Sequence, residues 1–313
     1  MDIKNLRIFI TGGAGYLGYN LVKRYYADNE ITIYSRDEAK HYFLKKEFPK
    51  VRCIVGDVRN YDLLKRSSAN HDIGIFAASL KQIESVDQNV EESVRIIIDG
   101  AINSRRVAEE NKMISANFIS SDKSRAATTL YGSMKFVAGE LFIVNASTET
   151  KLSSSIYGNV LNSTGSVIPL IWNAIEKKYP LTLYSQEMTR FMIDIEQAID
   201  LIEFGLDETG VNIIPNIPSF KIKDLFEIYS ELFGLTYKNG EPRISEKIHE
   251  IMISSEEIPR TYFDREKNIY VMHHKDISTD IPTQLGNEYS SKNFLVDKNQ
   301  LNEILKKYNY FKK

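Results

Sequence analysis

Short apolar, β-branched runs recur along the first half of the chain: LRIFIT, EITIYS, VRCIVG, DIGIFAA, ANFISS and KLSSSIYGNV. Between them lie longer stretches in which apolar residues return every three or four positions, such as DEAKHYFLKKEF, ESVRIIIDGAINSRRVAEE and YGSMKFVAGELFIVNAS. Continuous or alternating apolar runs mark strands, and a period near 3.6 marks an amphipathic helix. Their alternation predicts an α/β fold with a parallel sheet covered on both faces. Strands buried in this way should be apolar nearly throughout, as RIFIT and IGIFAA are. After about residue 160 the alternation loses regularity, and Pro169, Pro180, Pro215, Pro218 and Pro242 punctuate shorter elements. We therefore expect a first domain over 1–160 and a smaller, mixed C-terminal lobe over 161–313. Segments near 190–215, including QAIDLIEFGL and NIIPN, should return to the first domain. The tail DKNQLNEILKKYNYF reads as one amphipathic helix, and no internal repeat or low-complexity segment interrupts the chain.

Charge narrows the partner. The 313 residues carry 40 basic and 42 acidic side chains, a formal charge of −2 with no run of one sign, which argues against a nucleic-acid or anionic-membrane surface. A small molecule is the expected partner. Cys53 is the only cysteine, so an internal disulfide and a thiolate metal cluster are excluded, and its apolar surroundings place it in the core. His41, His71, His249, His273 and His274 show no metal-ligand spacing joined to carboxylates, and no metal is expected. The apolar run before the first glycines is too short for a signal peptide, and no stretch reaches the roughly 20 apolar residues of a membrane span. A cytoplasmic location is the expectation.

The string FITGGAGYLG sets Gly12, Gly15 and Gly18 directly after the first strand and into the first helix. That context fits a dinucleotide turn: Gly12 for the tight bend, Gly15 for close backbone approach, Gly18 for helix-on-strand packing. Phosphate would meet free N–H groups at the helix start around Tyr16 and Leu17, where the helix dipole favours an anion. The fold class is thus a Rossmann-type doubly wound parallel sheet, with NAD(P) as the expected cofactor. After the second strand stands Ser35-Arg36, followed by Asp37. A guanidinium suits a 2′-phosphate, which leans towards NADP, whereas Asp37 could serve a free ribose. Asp57 in GDVRN could accept from an adenine amino group or act as a turn residue. Val58, Ala77 and Ala78 would complete the cofactor wall.

The stretch SSDKSRAATTLYGSMK places Tyr131 and Lys135 one helical turn apart, with Ser121, Asp122 and Lys123 just upstream. On one helix face the ammonium could lie beside the phenol and favour its ionised form. Tyr131 could then take the proton of a substrate hydroxyl as hydride leaves the same carbon.

On these motifs the chain resembles the extended short-chain dehydrogenases/reductases, and more narrowly the soluble inverting UDP-N-acetylglucosamine 4,6-dehydratases of bacterial polysaccharide and glycan synthesis. Further strings carrying the resemblance are YSRDEAK, YGNV with GSVIP, MTRF, NIPSFKIKDL and EKIHEIMISS. The resemblance implies that Tyr131 and Lys135 drive oxidation at C4, that Ser121 bonds the reacting hydroxyl, and that Asp122 and Lys123 perform acid and base work at C6 and C5. It also assigns Lys81, Asn159, Arg190, Arg243 and Glu246 to a nucleotide-diphosphate sugar, and implies a homo-oligomer, a dimer or larger. The chain departs from the family's usual residues at Ser79, Gln82, Glu84, Ile97, Ile156, Thr164 and in RISEK. These changes are expected to touch substrate. They leave open a C4 dehydrogenase or epimerase on another nucleotide sugar, such as a GDP-linked hexose or heptose, without elimination.

Overall fold

A computed structural model describes residues 1–146, 149–242, 244–274 and 285–312. The main sheet has nine strands: β1 (Arg7–Thr11), β2 (Glu30–Ser35), β3 (Arg52–Val55), β4 (Ile73–Phe76), β5 (Ser115–Ile119), β6 (Lys151–Ser155), β7 (Val211–Pro215), β8 (Thr261–Asp264) and β9 (Ile269–His273). Their order is β8-β9-β7-β6-β5-β4-β1-β2-β3. The run from β3 to β7 is parallel, and β9 and β8 add two antiparallel strands beyond β7. The strand order turns back between β1 and β4, so a crevice opens at the carboxyl ends of the strands there.

Pleating explains why these strands are apolar on both sides. Ile8 and Ile10 pack with Leu21, Val22, Ile33 and Ile202 on one face, while Phe9 packs with Tyr34, Phe76, Phe118 and Phe142 on the other. Each such fully buried side chain contributes roughly 1.5–3 kcal/mol relative to exposure. β6 breaks the apolar expectation, since Ser153, Ser154 and Ser155 are all fully buried. Small side chains let the helix Ile195–Leu206 lie close on the sheet. Ser153 donates to the Gly205 carbonyl at 2.6 Å, Ser115 to the Leu206 carbonyl at 2.7 Å, and Asn117 to Ser153 at 2.9 Å. A Cβ on Gly205 would fall 2.3 Å from the Asn117 amide nitrogen.

The remaining elements build a lobe over the carboxyl end of the sheet. There Thr189–Ile193 pairs with Asn159–Val160 and Ser219–Lys221. The tail helix Lys298–Lys307, capped by Asp297, buries Leu301 and Leu305 against Phe220, Phe226 and Tyr229. The strands β8 and β9 come from a part of the chain that the sequence reading left in the lobe. Cys53 is half-buried on the edge strand β3 rather than in the core. No helix among the described residues is long and apolar enough to cross a membrane.

Candidate active site

The crevice at the strand ends is a cleft of about 770 Å³. Its floor is backbone. Gly12 adopts φ +70, and a Cβ there would stand 3.0 Å from the Ala78 nitrogen. Gly15 caps the helix Tyr16–Tyr25 without any side-chain cap, so its first amides remain available to an anion. A Cβ on Gly18 would fall 2.4 Å from Gly13, which accounts for the third glycine. Thr11 fixes the opposite lip, since its hydroxyl accepts from the Ala78 amide at 3.2 Å. A cradle that a single methyl would fill fits the pyrophosphate of a dinucleotide. Tyr16, Leu17, Val58, Ala77 and Ala78 line the same cleft.

At the adenosine end, Ser35 meets His41 Nε2 at 2.6 Å, and Arg36 extends with its side chain 59 % exposed, 3.9 Å from Asp57. Asp37 caps the helix Glu38–Glu47 by accepting from the Lys40 amide at 3.0 Å. Asp57 is not a helix cap, because Asn60 fills that role for Tyr61–Ser68. Both Asp57 oxygens accept from the Arg59 guanidinium, at 2.9 and 2.6 Å, and this fork holds the carboxyl below its ordinary pKa.

At the other end of the cleft, two local devices bring the reactive side chains together. Ser121 caps the short turn Asp122–Ser124, its hydroxyl accepting from the Lys123 amide at 3.3 Å. Thr129 caps the helix Leu130–Ile143, placing Tyr131 in its first turn. Gly132 then allows contact between them, for a Cβ there would lie 2.3 Å from the Lys123 carbonyl. Ser121 donates to Asp122 Oδ1 at 3.0 Å, and Lys123 Nζ donates to the same oxygen at 3.1 Å. The second Asp122 oxygen is buried and has no protein partner.

Burial pushes the Asp122 carboxyl well up, helped by the nearby charge of Glu250 and opposed by Lys123. Burial also raises the Tyr131 phenol, while Lys123 and a hydrogen bond with Ser121 pull the other way. Lys123 is thus a cation acting on the phenol. Lys135 turns along the helix towards β5, donates to the Ile119 carbonyl at 2.5 Å and lies 4.7 Å over the Phe118 ring. Burial lowers its pKa to about 7. Helix spacing supplies the shared face, and the strand-end carbonyl of Ile119 is the acceptor that the Lys135 ammonium reaches from it. Lys123 behaves oppositely: burial disfavours its charge, but the carboxylates of Asp122 and Glu250 prevail and hold its pKa above the ordinary value. Its side chain keeps 24 % exposure, so solvent moderates the effect.

Behind this turn sits fully buried Arg125, paired with Glu257 at 2.6 Å and Glu140 at 3.2 Å. Arg260 and His274 complete the cluster on those same carboxylates. The Arg125 carbonyl accepts from Lys247, which ties the turn to the lobe.

A second cavity of about 410 Å³ adjoins the cleft through Asn159, Val160 and Ser166. Arg190 and Glu246 line it, joined at 3.3 Å, among Tyr179, Leu181, Phe191 and Phe226. Lys81 reaches across the cleft mouth to the Thr164 carbonyl. Ser79, Gln82 and Thr164 line the cleft, whereas Ile97 and Ile156 do not: both are packed in the core. A π-helical turn over Arg95–Asp99 re-phases that helix, so that Ile96 faces the cleft and Ile97 faces inward. Arg243 lies outside the described residues. Spacing alone missed Tyr157, which also lines the cleft, and Glu250, which holds Lys123 and Arg190 at 3.3 and 3.5 Å.

Comparison with known proteins bears on this geometry. Residues 8–273 match the model of the polysaccharide biosynthesis protein family. The chain is 35% identical over 269 residues to the UDP-N-acetylglucosamine 4,6-dehydratase (inverting) of Campylobacter jejuni, covering 82% of this chain and 79% of that one. It is 31% identical over 274 residues to a UDP-glucose 4-epimerase of Rickettsia massiliae, covering 81% and 79%. Among solved structures, Pen from Bacillus thuringiensis superposes with a TM-score of 0.89 at 24% identity, over 99% of this chain and 100% of that one, a likeness of fold. With its Rossmann-type sheet, its glycine cradle and these relatives, the chain belongs to the polysaccharide biosynthesis protein family, an enzyme of the extended short-chain dehydrogenase/reductase kind.

Proposed function

We propose that the protein oxidises C4 of the sugar in a nucleoside diphosphate sugar and then removes water across C5 and C6, as a 4,6-dehydratase acting on a UDP-N-acetylhexosamine for bacterial surface glycan. The observation that carries this reading is the convergence of Ser121, Asp122, Lys123 and Tyr131 at one end of the cleft. A simple C4 oxidation needs Ser121 and Tyr131; a buried carboxyl with one free oxygen beside a lysine is what elimination adds.

The C4 hydroxyl gives its proton to the Tyr131 oxygen, with Ser121 orienting that hydroxyl. A nicotinamide held in the cleft beside Tyr131 would supply the acceptor for the C4 hydride and the donor for its return to C6. With C4 a ketone, the C5 proton is acidic and Lys123 takes it as a neutral amine. The C6 hydroxyl takes the proton of Asp122, whose raised pKa suits an acid, and leaves as water. Asn159, Arg190 and Glu246 face the diphosphate and nucleoside across the second cavity, and Lys81 stands at the mouth. Arg243 is assigned to the same subsite by resemblance alone. For the cofactor we favour NADP. Asp57 is held by Arg59 and Asp37 by Lys40, whereas Arg36 stands 59 % exposed at the ribose end, 3.9 Å from Asp57.

A second reading, C4 oxidation or epimerisation without elimination, is favoured by the tight hold of Asp122 and Glu250 on the Lys123 proton. Incubation with UDP-N-acetylglucosamine in deuterated water separates the two. A 6-deoxy-4-keto product carrying deuterium at C5 is expected. An intact C6 hydroxyl with C5 unlabelled would overturn the dehydratase reading and leave the second.

A further inference from the structure

Glu250 belongs to neither the dinucleotide turn nor the Asp122-Lys123 pair, yet it joins two of the site's cations. Its side chain is 3% exposed. One carboxylate oxygen lies 3.3 Å from Lys123 Nζ and 3.5 Å from Arg190 Nε, and the other is buried with no protein partner. The backbone is pinned on both sides: its amide donates to the Ser291 hydroxyl at 2.8 Å, and its carbonyl accepts from the Ser291 amide at 2.8 Å. Ser291 also meets Thr189, the neighbour of Arg190, at 2.6 Å. Lys123 has three N–H groups when charged, and three oxygens receive them: Asp122 at 3.1 Å, Asn159 at 3.3 Å and Glu250 at 3.3 Å.

Resting on the elimination reading, we propose that Glu250 is a positioning residue that fixes Lys123 and Arg190 through one buried oxygen, so that the positive charge created when Lys123 takes the C5 proton meets a carboxylate already in place. In that step the C5–H electron pair stays with the sugar and forms the C5–C6 double bond as the C6–O bond breaks. The proton becomes the third N–H of Lys123, and the leaving oxygen carries the proton of Asp122. The charged groups facing this joint are Asp122, Lys123, Arg190, Glu246 and Lys247, with Tyr131 across from Lys123 and His249 beside Arg190. Without the charge on Glu250, Lys123 would face Arg190 and Lys247 with Asp122 alone in contact with it and Glu246 on the far side of Arg190. Its amine would then become available at lower pH and would be a weaker base.

The test is Glu250→Gln in cofactor-loaded protein, read as deuterium incorporation at C5 against pH. The rising limb should move down by about one pH unit or more and the maximum should fall roughly 10-fold or more, while single-turnover hydride transfer from C4 changes less than about 3-fold. Glu250→Asp, which restores the charge, should bring the limb back towards the wild-type position. A second readout needs neither sugar nor turnover. With lysine labelled at Cε, the Lys123 resonance, assigned by its loss in Lys123→Met, should titrate above the ordinary lysine range in the wild type and lower in Glu250→Gln. An unmoved limb with only KM raised, or a wild-type Lys123 titrating below that range, overturns the proposal. Wild type without C5 exchange overturns the elimination reading, and the lysine titration then still decides whether Glu250 holds Lys123.

Discussion

The turn after β1 and the turn after β5 open into one cleft but are made of different material. After β1 the site is backbone: Gly12 bends, Gly15 exposes helix amides, Gly18 lets the helix pack on the Gly13 backbone of the turn, and no charged side chain takes part. After β5 it is charge: Asp122 and Lys123 from the turn, with Asn159, Arg190 and Glu250 from three distant stretches of chain. A backbone site asks only that side chains be absent at a few consecutive positions. A charged site in low dielectric needs every charge answered, and the answering groups come from wherever the fold delivers them. The first is built from one turn; the second is completed by residues that the lobe brings.

The largest expected effect tests whether the charged end performs the chemistry. Tyr131→Phe removes the group that takes the C4 proton, and single-turnover hydride transfer should fall by about 10³-fold or more, with cofactor affinity changed little. Cofactor fluorescence titration beside the rate measurement checks both halves. Equal loss of binding and rate would mean the two ends are not separate.

Lys135→Met should give the next effect, and with the opposite sign on stability. The Lys135 pKa is about 7 in the fold against 10.5 for an ordinary lysine, so the folded protein binds that proton more weakly than the unfolded chain. Stability of the unliganded protein should therefore rise with pH between those values and be lowest below about 7, where the burden is on the order of 5 kcal/mol. The substitution should flatten this rise and raise the melting temperature near pH 6 more than near pH 9. A wild-type melting temperature flat over that range would show the ammonium to be fully accommodated by the Ile119 carbonyl and the Phe118 ring.

The same contrast explains what could be read in advance. Strands and helices in the first 140 residues follow their apolar periods, and the glycine turn follows from spacing in one string. β6 escaped the rule because its small serines are buried under the helix Ile195–Leu206, where Ser153 donates to a helix carbonyl that no local pattern announces. Helix spacing assigns Lys135 a face, but not the carbonyl acceptor that its long side chain finds there. Glu250 stood within a string already singled out, but nothing about one glutamate among several marks the one whose oxygen reaches both Lys123 and Arg190. Ile97 shows the converse: a π turn shifted the helical phase by one residue and moved a position expected to face substrate into the core.

Gly12→Ala probes the backbone end. The substitution forces an L-residue into φ +70 with its Cβ 3.0 Å from the Ala78 nitrogen, a strain of roughly 1–2 kcal/mol before any ligand is considered. Stability by denaturant titration should fall by about that amount, and dinucleotide affinity should fall further, since the methyl occupies the phosphate cradle. The Lys123 titration should be unmoved, because the charged end borrows nothing from this turn.

Arg36→Ser carries the smallest effect and sharpens the comparison most, because it is the one place where the backbone end recruits a charge. The Arg36 side chain is 59 % exposed and only 3.9 Å from Asp57, which Arg59 already neutralises, so its loss should leave folding stability within about 0.5 kcal/mol. Its effect should appear in cofactor choice: a guanidinium facing a 2′-phosphate makes a charge-assisted contact, and losing it should weaken NADP by roughly 10-fold while leaving NAD almost unchanged. Titrating both dinucleotides into wild type and variant measures the ratio directly. Equal weakening of the two would show Arg36 to act on the shared adenosine or its ribose, and would overturn the NADP assignment.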